Sequence, residues 1–503
     1  MSLFAGPETV MGGGRDMAAL ERSRSVAPAR FGGKPWWRPD ATALLSAYLV
    51  LLLLIPARLV VPSVGGAGRP ALLLGLGLLG VWAVSRVVPY LTTRGPNPVR
   101  RALMIYVLVY ALTYALGYAR QLPVAERLSA DRSLFATASL LGVALLAADG
   151  IRSRERLDTL LGRLVSLGSV VAVFGILQFM FGIDIAGMIK IPGLVLNAEI
   201  IGIGERGAPG FRRVAGTAGH PIEFGVVMGM LLPLAVHRAL HPRTRTEGWL
   251  RGAQIGALVL GVAFSISRSG AIALMVGLLV LGISWAPELK AKALVVAVAA
   301  MVLLRGAVPG LLGTFRSLFL NIGSDPSIQG RQDDYPYAFS LVEQRPWFGR
   351  GPGTYLPEQY VVLDNQVLGT LVSTGYVGLC AFFLLYLMGT SVARRVARRG
   401  ATDESRHLAQ AMMATVTAAL VVTFTFDAFA YALYTGILFL TLGCAGALWR
   451  LERTGDSGAG RERARSTPVL KGWRRVGNPE PHPLGRVFPD LAASHGWRRS
   501  RPV

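Results

Sequence analysis

The sequence predicts an all-α, polytopic membrane protein with about 12 transmembrane helices and one large external loop that contains a short helix. Hydrophobic residues make up 52% of the 503 positions and charged residues only 16%, whereas soluble domains average about 25% charged residues. The apolar residues form continuous runs of about 17–25 residues, a length that crosses a bilayer as a helix. These runs do not alternate apolar and polar residues as barrel strands do. In lipid the backbone polar groups must then pair with one another inside each segment, and the α-helix is the structure that achieves this.

Twelve apolar runs are long enough to count as candidate spans. Several are shorter than the ideal length of about 20 residues, a difference that modest thinning of the bilayer accommodates. The runs lie at approximately 41–61, 71–91, 102–119, 133–149, 160–182, 217–236, 250–267, 270–286, 291–308, 366–390, 408–427 and 429–449. Together, 41–449 form the predicted transmembrane domain.

Basic residues set the predicted orientation. Placing the N-terminal segment 1–40, which is expected to be disordered, in the cytoplasm puts most of the 52 Lys and Arg residues on that side, in short basic connections. Because short cytoplasmic loops carry an excess of Lys and Arg, both termini are predicted to be cytoplasmic. The basic tail 450–503 is rich in Gly, Pro and Ser, which predicts a disordered segment attracted to anionic lipid. The net charge of +23 is therefore mainly a topology signal, and nucleic acid is not an expected partner.

Two predicted external connections, 183–216 and 309–365, are too long to be simple turns. The second contains several aromatic residues that could fold against the membrane domain. Asp333 and Asp334 are typical of a helix start, and a helix beginning there should end before Pro346. The external face of the bundle is therefore the candidate for a site.

Three arginines stand out on this external face. Arg268 lies in Ser265–Gly270, the whole junction between the seventh and eighth spans, and ionisable groups at such depth suggest function. The alternative is a structural cap on helix-end carbonyls. Arg212 and Arg213 break the positive-inside trend ahead of the sixth span, which either anion binding or contact with lipid headgroups explains.

Three further residues have both a functional and a structural interpretation. His220 begins the sixth span and is either a proton carrier or a helix cap. Arg331 either reaches an anionic ligand or pairs with Asp333 and Asp334. Asp364 stands at the mouth of the tenth span, where a carboxylate is either a base or a helix N-cap.

Several motifs of other enzyme classes are missing from the sequence. We find no Cys/His spacing typical of a metal site, no Asp-x-Asp pair in an external loop, no Gly-x-Ser-x-Gly elbow and no Walker motif. This disfavours ATP-driven transport and metal-dependent transfer from a sugar nucleotide. No metal or other cofactor is expected, and any energy must come from the substrate.

Four stretches, in their order and topology, resemble the O-antigen ligase and polymerase superfamily of bacterial envelope glycan assembly. The resemblance covers roughly residues 160–390, including the large loop between the ninth and tenth spans. The stretches are Gly216-Thr217-Ala218-Gly219-His220-Pro221, Ser265-Ile266-Ser267-Arg268-Ser269-Gly270, Gly330-Arg331 leading to Arg345–Tyr355, and Asp364–Leu371 followed by Gly375-Tyr376-Val377-Gly378-Leu379.

The resemblance implies a membrane glycosyltransferase that needs no metal or nucleotide. Its donor would be an undecaprenyl diphosphate-linked glycan, and its acceptor a hydroxyl of a glycan or glycolipid. Arg268, with Arg212 or Arg213, would bind the donor diphosphate. Ligases of the family commonly carry a His before the Asn of the tenth span, whereas here Asp364 precedes Asn365, which leaves ligase and polymerase both open.

The reaction also needs a base and contacts to sugar. Asp364 is the predicted base, with His220 or Glu358 as alternatives, and Arg331 is a further candidate for the diphosphate. Packing within the loop is the alternative role of the aromatic residues. The side chains expected to contact glycan are Trp347, Tyr355, Tyr360 and Asn365.

A secondary transporter or a flippase of lipid-linked glycans is the alternative function. Such proteins place ionisable residues or broken helices near the membrane midplane. Here most external charges gather at the membrane edge, although Arg86 and Asp427 stand near or within a span. The enzyme is therefore the favoured interpretation: a multi-pass plasma membrane protein surrounded by lipid, with an external active face.

Overall fold

A computed structural model of the chain describes residues 40–87, 95–197, 212–320, 326–357 and 359–466. The chain divides into a compact unit, 1–454, and a C-terminal unit, 455–503, of which only 455–466 are described, as helix. The described part contains fifteen α-helices. They are α1 Ala41–Leu53, α2 Pro70–Val87, α3 Pro98–Tyr118, α4 Val124–Gly150, α5 Arg154–Phe181, α6 Ile185–Met188, α7 Pro221–Leu240, α8 Arg245–Phe264, α9 Arg268–Gly282, α10 Pro287–Ala307, α11 Leu311–Leu320, α12 Pro326–Gln344, α13 Gln366–Arg399, α14 Asp403–Val422 and α15 Ala432–Ser466.

Each of the twelve predicted spans coincides with a helix in this order. By length and hydropathy, seven helices could cross a membrane: α2, α3, α4, α5, α7, α13 and the part of α15 up to Thr454. An eighth is added if α10 and α11, which meet at a bend of 111°, form one broken span. The all-α polytopic class is therefore confirmed, while the number twelve stays a prediction.

Side-chain caps explain where several helices begin. Asn97 caps α3 by accepting hydrogen bonds from the backbone N–H groups of the first turn, directly before a proline at the first helical position. Ser267 caps α9 through the Gly270 N–H at 3.3 Å, and Asn365 caps α13. Such caps satisfy N–H groups that have no partner inside the helix. The caps Ser267 and Asn365 hold the first residues of α9 and α13 at one end of the bundle.

Burial separates inner helices from outer ones. Almost every side chain of α7, and of α15 up to Trp449, is buried among the other helices. Helix α10 is the opposite case, because it has no buried residue although its side chains are mostly apolar. A helix that is apolar on all sides and uncovered by protein is suited to contact with lipid.

Two connections meet at one end of the bundle. A two-residue strand, β1 (Leu59–Val60), pairs antiparallel with β2 (Val195–Leu196). The Thr217 hydroxyl also donates a hydrogen bond of 2.6 Å to the carbonyl at the end of α1. The connections after α1 and after α5 therefore share one end, as the alternating topology predicts.

Arg86 takes part in an ion pair at the end of α2. Its guanidinium lies 3.6 Å from the fully buried carboxylate of Asp149, which Arg100 also contacts at 2.9 Å. The Trp82 indole donates to the same carboxylate at 3.1 Å. A buried carboxylate requires such partners, and together they join the ends of α2, α3 and α4.

The large loop and the tail differ in their details from the sequence predictions. Helix α12 ends before Pro346, as expected, but it begins at Pro326 and not at Asp333. Proline is favoured at the first helical position, so the effective start signal lies upstream. The last helix continues beyond residue 450 to Ser466. The predictions for 1–39, for the tail beyond Ser466 and for Glu358 fall outside the described residues.

Helix α13 is broken at Gly375, where φ is 65° and ψ is −169°. At the break, backbone N–H and C=O groups of α13 lose their partners within the helix. The backbone of the loop 346–351 forms four hydrogen bonds with these groups. Gly349 has a φ of 65°, and a Cβ there would lie 2.5 Å from the Ser373 carbonyl carbon. The four hydrogen bonds run from Arg350 N to Val372 O, Gly351 N to Ser373 O, Tyr376 N to Pro346 O and Val377 N to Trp347 O.

Replacing Gly349 by alanine should destabilise the protein by about 1–3 kcal/mol. The methyl group would displace the backbone that joins the loop to α13, and the left-handed conformation would add strain. Gly369→Ala is the matched control on the same helix, because nothing lies within 4 Å of a Cβ at that position. Thermal unfolding of the purified protein in detergent measures both changes. Equal stability of the two variants would contradict this role of Gly349.

Candidate functional site

Four segments that are distant in sequence meet at one end of the bundle. We call them the mouth cluster: residues 212–221, 265–269, 364–366 and 423–431. The last segment connects α14 to α15 and touches the other three. The distribution of basic residues predicts that this end is external.

The connection 423–431 holds the starts of α9 and α13 together. The Thr425 hydroxyl donates a hydrogen bond of 2.8 Å to the hydroxyl of Ser269, the residue after Arg268. The Gln366 backbone N–H donates to the Thr423 carbonyl at 3.0 Å, and its side-chain oxygen accepts from the Phe429 N–H at 2.6 Å. The beginnings of these two helices are therefore positioned by one connection.

The junction between α8 and α9, residues 265–268, is short and strained; we call it the Arg268 junction. Ile266 is buried and has a φ of 45°, which is an uncommon conformation for a β-branched residue. Arg268 is the first residue of α9 and is partly buried. The Nε of Arg213 donates to the Ser265 carbonyl at 3.4 Å, so Arg213 lies against the segment that carries Arg268. Arg212 is exposed beside it.

His220 caps α7, and this fixes which of its nitrogens can act. Its Nδ1 accepts a hydrogen bond of 3.1 Å from the Ile222 N–H, so the neutral ring carries its proton on Nε2. In this state His220 is a hydrogen-bond donor and not a base. Its ring centroid lies 6.0 Å from that of Tyr431, which places it against the connection 423–431.

Glu223 is a buried acid that the sequence analysis did not select. One of its carboxylate oxygens accepts a hydrogen bond of 2.8 Å from the Gly219 N–H. The other accepts from the Leu433 N–H at 2.7 Å, in the first turn of α15. Glu223 therefore ties the start of α7 to the start of α15. The only sequence signal was an acid in the first turn of an apolar helix.

Asp364 does not cap α13, since the neighbouring Asn365 does so. The Asn365 side-chain oxygen accepts from the Val367 N–H at 2.9 Å and the Leu368 N–H at 3.3 Å, and its amide donates to the Tyr335 hydroxyl at 3.4 Å. The capping interpretation of Asp364 is thus excluded, and its partly buried carboxylate stands at the mouth cluster.

Asp427 is a second carboxylate in the mouth cluster and was not assigned a role from the sequence. It lies in the connection between α14 and α15, outside both helices. Burial, and then the nearby charge of Asp364, raise the pKa of the Asp427 carboxyl to about 7. A carboxylic acid tuned to neutral pH beside another carboxylate is typical of acid–base sites.

A cavity of about 750 Å³ opens beside the mouth cluster. Its walls come from α3, α4, α13 and the large loop, with Asp427 and Phe429 on one side and Tyr355 on another. Thr374, next to the break in α13, also lines it. The volume lies in the range of about 300–1,000 Å³ typical of ligand sites.

The predicted glycan-contacting aromatics are held in different places. Tyr355 stacks on Tyr360, with ring centroids 5.0 Å apart, and the Tyr360 hydroxyl donates to the buried Glu126 at 2.7 Å. Trp347 packs edge-on against Tyr376 at 6.3 Å, beside the break in α13, and is 64% exposed. Of these three aromatic residues, Tyr355 is the one among the described residues that lines the cavity.

The remaining predicted site residue is Arg331, which lies in α12. Its side chain falls outside the described part, so its role stays a prediction. Of the other predicted residues, the mouth cluster brings together Arg213, the Arg268 junction, His220, Asp364 and Asn365 around the connection 423–431. Trp347 and Tyr360 pack against other parts of the bundle.

Comparison with protein families identifies the central part of the chain. Residues 255–383 match the family model described as O-Antigen ligase, which confirms the resemblance to the O-antigen ligase superfamily. The matched stretch runs from α8 into α13, so it includes Arg268 and Asp364 but neither His220 nor Asp427. Among curated proteins, none matches the chain. The match and the apolar helices support a membrane enzyme of the O-antigen ligase type that handles glycans.

Proposed function

We propose that this chain, which carries an O-antigen ligase match within a membrane bundle, transfers or polymerises glycan from an undecaprenyl diphosphate-linked donor. The acceptor is a hydroxyl of a glycan or glycolipid, and the reaction takes place at the mouth cluster, on the external side. The observation that carries this proposal is the meeting of Arg213, the Arg268 junction and two aspartates around the connection 423–431.

The proposed step is a substitution at the anomeric carbon of the donor sugar. The acceptor oxygen forms a bond to this carbon while the bond from the carbon to the diphosphate oxygen breaks. The diphosphate leaves with the electron pair, and the proton of the acceptor hydroxyl passes to a base on the protein. The lipid diphosphate is a good leaving group, so the donor itself supplies the energy.

Arg268 and Arg213 are proposed to hold the diphosphate. A guanidinium offers a planar fork of N–H donors that matches phosphate oxygens. Arg213 is anchored to the Ser265 carbonyl, and Arg268 is anchored by the cap and strained turn that precede it. Fixed donors of this kind stabilise negative charge that develops in the transition state without reorganising first.

Asp427 is proposed to be the base, with Asp364 as its neighbour. A base is most efficient when its pKa lies near the working pH, and the pKa of Asp427 is raised to about 7. The alternative assigns the base to Asp364, as the sequence analysis predicted. His220, whose Nε2 carries the proton, is suited to donate a hydrogen bond to an anionic or hydroxyl oxygen in the mouth cluster.

The cavity of about 750 Å³ is proposed to receive glycan. It reaches Asp427 on one side and Tyr355, whose hydroxyl donates to the Val361 carbonyl, on another. The lipid tail of the donor would stay among the outer helices. This division explains why a reaction on sugars takes place inside a membrane protein.

The broken helix α13 is the one observation that favours the alternative, a flippase or transporter, because such proteins often contain broken helices. The break differs from a transport path in that the loop 346–351 fills it with four backbone hydrogen bonds. Charged side chains also gather in the mouth cluster, at the end of the bundle. The enzyme is therefore the better-supported function.

Reconstitution of the purified full chain in liposomes tests the two functions. The substrate is an undecaprenyl diphosphate-linked repeat unit, given with and without a glycolipid acceptor. A ladder of products would identify a polymerase, and a single transfer to the acceptor would identify a ligase. Donor that changes leaflet without reacting, or that stays unchanged in every preparation, would contradict the proposal. The control is the Asp427→Asn variant in matched liposomes.

A further inference from the structure

Three histidines form a cluster at the opposite end of α7 from the mouth cluster. We propose that His237, His241 and His407 bind a zinc ion that joins α7 to α14. One nitrogen from each ring lies within 4.8 Å of the other two, and the ring centroids are 4.8–5.4 Å apart. Imidazole nitrogens are common zinc ligands, and three of them form a recurrent protein site.

Helical spacing brings the first two ligands together. His237 and His241 are four residues apart at the end of α7, and residues with this spacing lie on one face of a helix. His407 comes from the first turns of α14, which packs against α7. Helices α7 and α14 therefore bring the three imidazole rings close enough to bind one ion. The short His237-x-x-x-His241 spacing is a signal that the sequence analysis did not count as a metal site, and its third partner is 170 residues away from His237.

Metal binding requires neutral rings, and the hydrogen bonds of the cluster indicate which nitrogen of a neutral His407 carries the proton. The Trp285 indole can only donate, and it does so to His407 Nε2 at 3.1 Å. A neutral His407 then carries its proton on Nδ1, which is 2.9 Å from His237 Nδ1. These two nitrogens share one proton. A zinc ion in its place requires the neutral His407 ring to carry its proton on Nε2, which displaces the Trp285 N–H.

His241 already has the orientation of a ligand. Its Nδ1 lies 2.9 Å from the His237 backbone carbonyl, so it donates there and keeps the lone pair of Nε2 for a metal. Ligating histidines commonly use their second nitrogen in this way. Zinc–nitrogen bonds of about 2.0–2.1 Å require the His237 and His407 rings to separate by a few tenths of an ångström.

A small cavity of about 150 Å³ adjoins the cluster and supplies room for a fourth ligand. His237 and His241 line it together with Glu404 and Glu247. Glu247 pairs with Arg251 at 2.9 Å. Glu404 precedes His407 by three residues and so lies on the same side of α14, which makes it or a water molecule the fourth ligand.

The expected role of the ion is structural. Helix α7 has 20 residues, which corresponds to a length of about 30 Å, so the cluster is far from the proposed reaction. Helices α7 and α14 nevertheless both reach the mouth cluster, through His220 and the connection 423–431. A zinc ion between them would fix their relative position from the other end.

Calorimetric titration with ZnCl₂ tests the proposal on the full chain, purified in detergent without a polyhistidine tag and treated with a chelator. We expect one zinc ion per chain. His241→Gln and His407→Gln should each weaken binding by at least about tenfold, the lower bound for loss of even an outer-shell partner. Zinc should also raise the melting temperature of the parent but not that of these variants.

Two further variants complete the test. The double variant His482→Gln/His495→Gln, which removes the histidines of the tail, should bind zinc as the parent does. Trp285→Phe removes a donor that opposes a proton on His407 Nε2 and should therefore tighten binding. Loss of binding in the tail variant alone, or equal binding by the parent and the cluster variants, would overturn the proposal. These readouts do not depend on activity, so they leave the proposed function untouched.

Discussion

Replacing Arg268 by lysine should lower the rate of glycan transfer by about 10²–10³-fold while the protein still inserts and folds. Lysine keeps the positive charge but replaces a rigid fork of donors with a single ammonium on a flexible stem. It therefore loses paired contacts to the two phosphates of the leaving group. The effect should fall on turnover more than on donor binding, because the charge on the leaving oxygen grows in the transition state.

The control for this substitution is Arg305→Lys, in the last turn of α10. Arg305 lies at the same end of the bundle but is exposed and outside the mouth cluster, so its replacement should leave transfer unchanged. The measurement is the initial rate of product formation in liposomes, with protein yield and melting temperature recorded for each variant. An Arg268→Lys protein with parental turnover would remove this residue from the mechanism.

Replacing Asp427 by asparagine should lower the rate by about 10²–10⁴-fold, the usual contribution of general base catalysis. The parent should gain activity by about tenfold between about pH 6 and about pH 8, as a base with a pKa near 7 loses its proton. The variant should lose this pH dependence together with its activity. Initial rates measured across this pH interval test both statements.

The thermal stability of the Asp427→Asn variant shows whether its loss of activity comes from misfolding. Burial and Asp364 raise the pKa of Asp427 in the folded state to about 7, above its ordinary value of 3.8. The fold therefore favours the protonated form, and this stabilisation is complete below about pH 4 and is lost as the pH rises through about 7. Asparagine mimics the protonated form, so Asp427→Asn should be at least as stable as the parent at about pH 8.

The Asp364→Asn variant distinguishes the two candidate bases. If Asp364 acts only as the neighbouring charge, its loss lowers the pKa of Asp427, and the rise in activity moves to lower pH. If Asp364 is itself the base, activity is lost at every pH, and the assignment to Asp427 is wrong. Because Asn365 caps α13, the substitution does not remove a helix cap.

The helices could be predicted from the sequence because lipid leaves the backbone few alternatives. The apolar runs therefore predicted the order of the elements. Arg268 and Arg213 were selected as candidates because charge at a membrane edge is unusual. The start of α12 was placed wrongly, since both the Asp333 pair and Pro326 are plausible start signals. Local sequence does not say which of two such signals tertiary packing will use.

The missed residues share one physical cause. Asp427 matters because Asp364 lies near it, and Glu223 matters because it bonds to the start of α15. His237 matters because His407 lies 2.9 Å away. Each of these partners is 63 or more residues distant in the chain, and no short pattern encodes such a contact. The sequence thus predicted a face of the bundle as the candidate site, but not the distant side chains that the fold brings next to its residues.

The bond between Glu223 and the Leu433 N–H spans 210 residues, and this has a consequence for biogenesis. At about 5–20 residues per second, the ribosome delivers α15 roughly 10–40 s after α7. Until then, the nascent chain already contains Arg213, His220 and Arg268 but lacks the segment that organises them. The Glu223 carboxylate therefore gains its bond to the start of α15 only after this last helix has been synthesised.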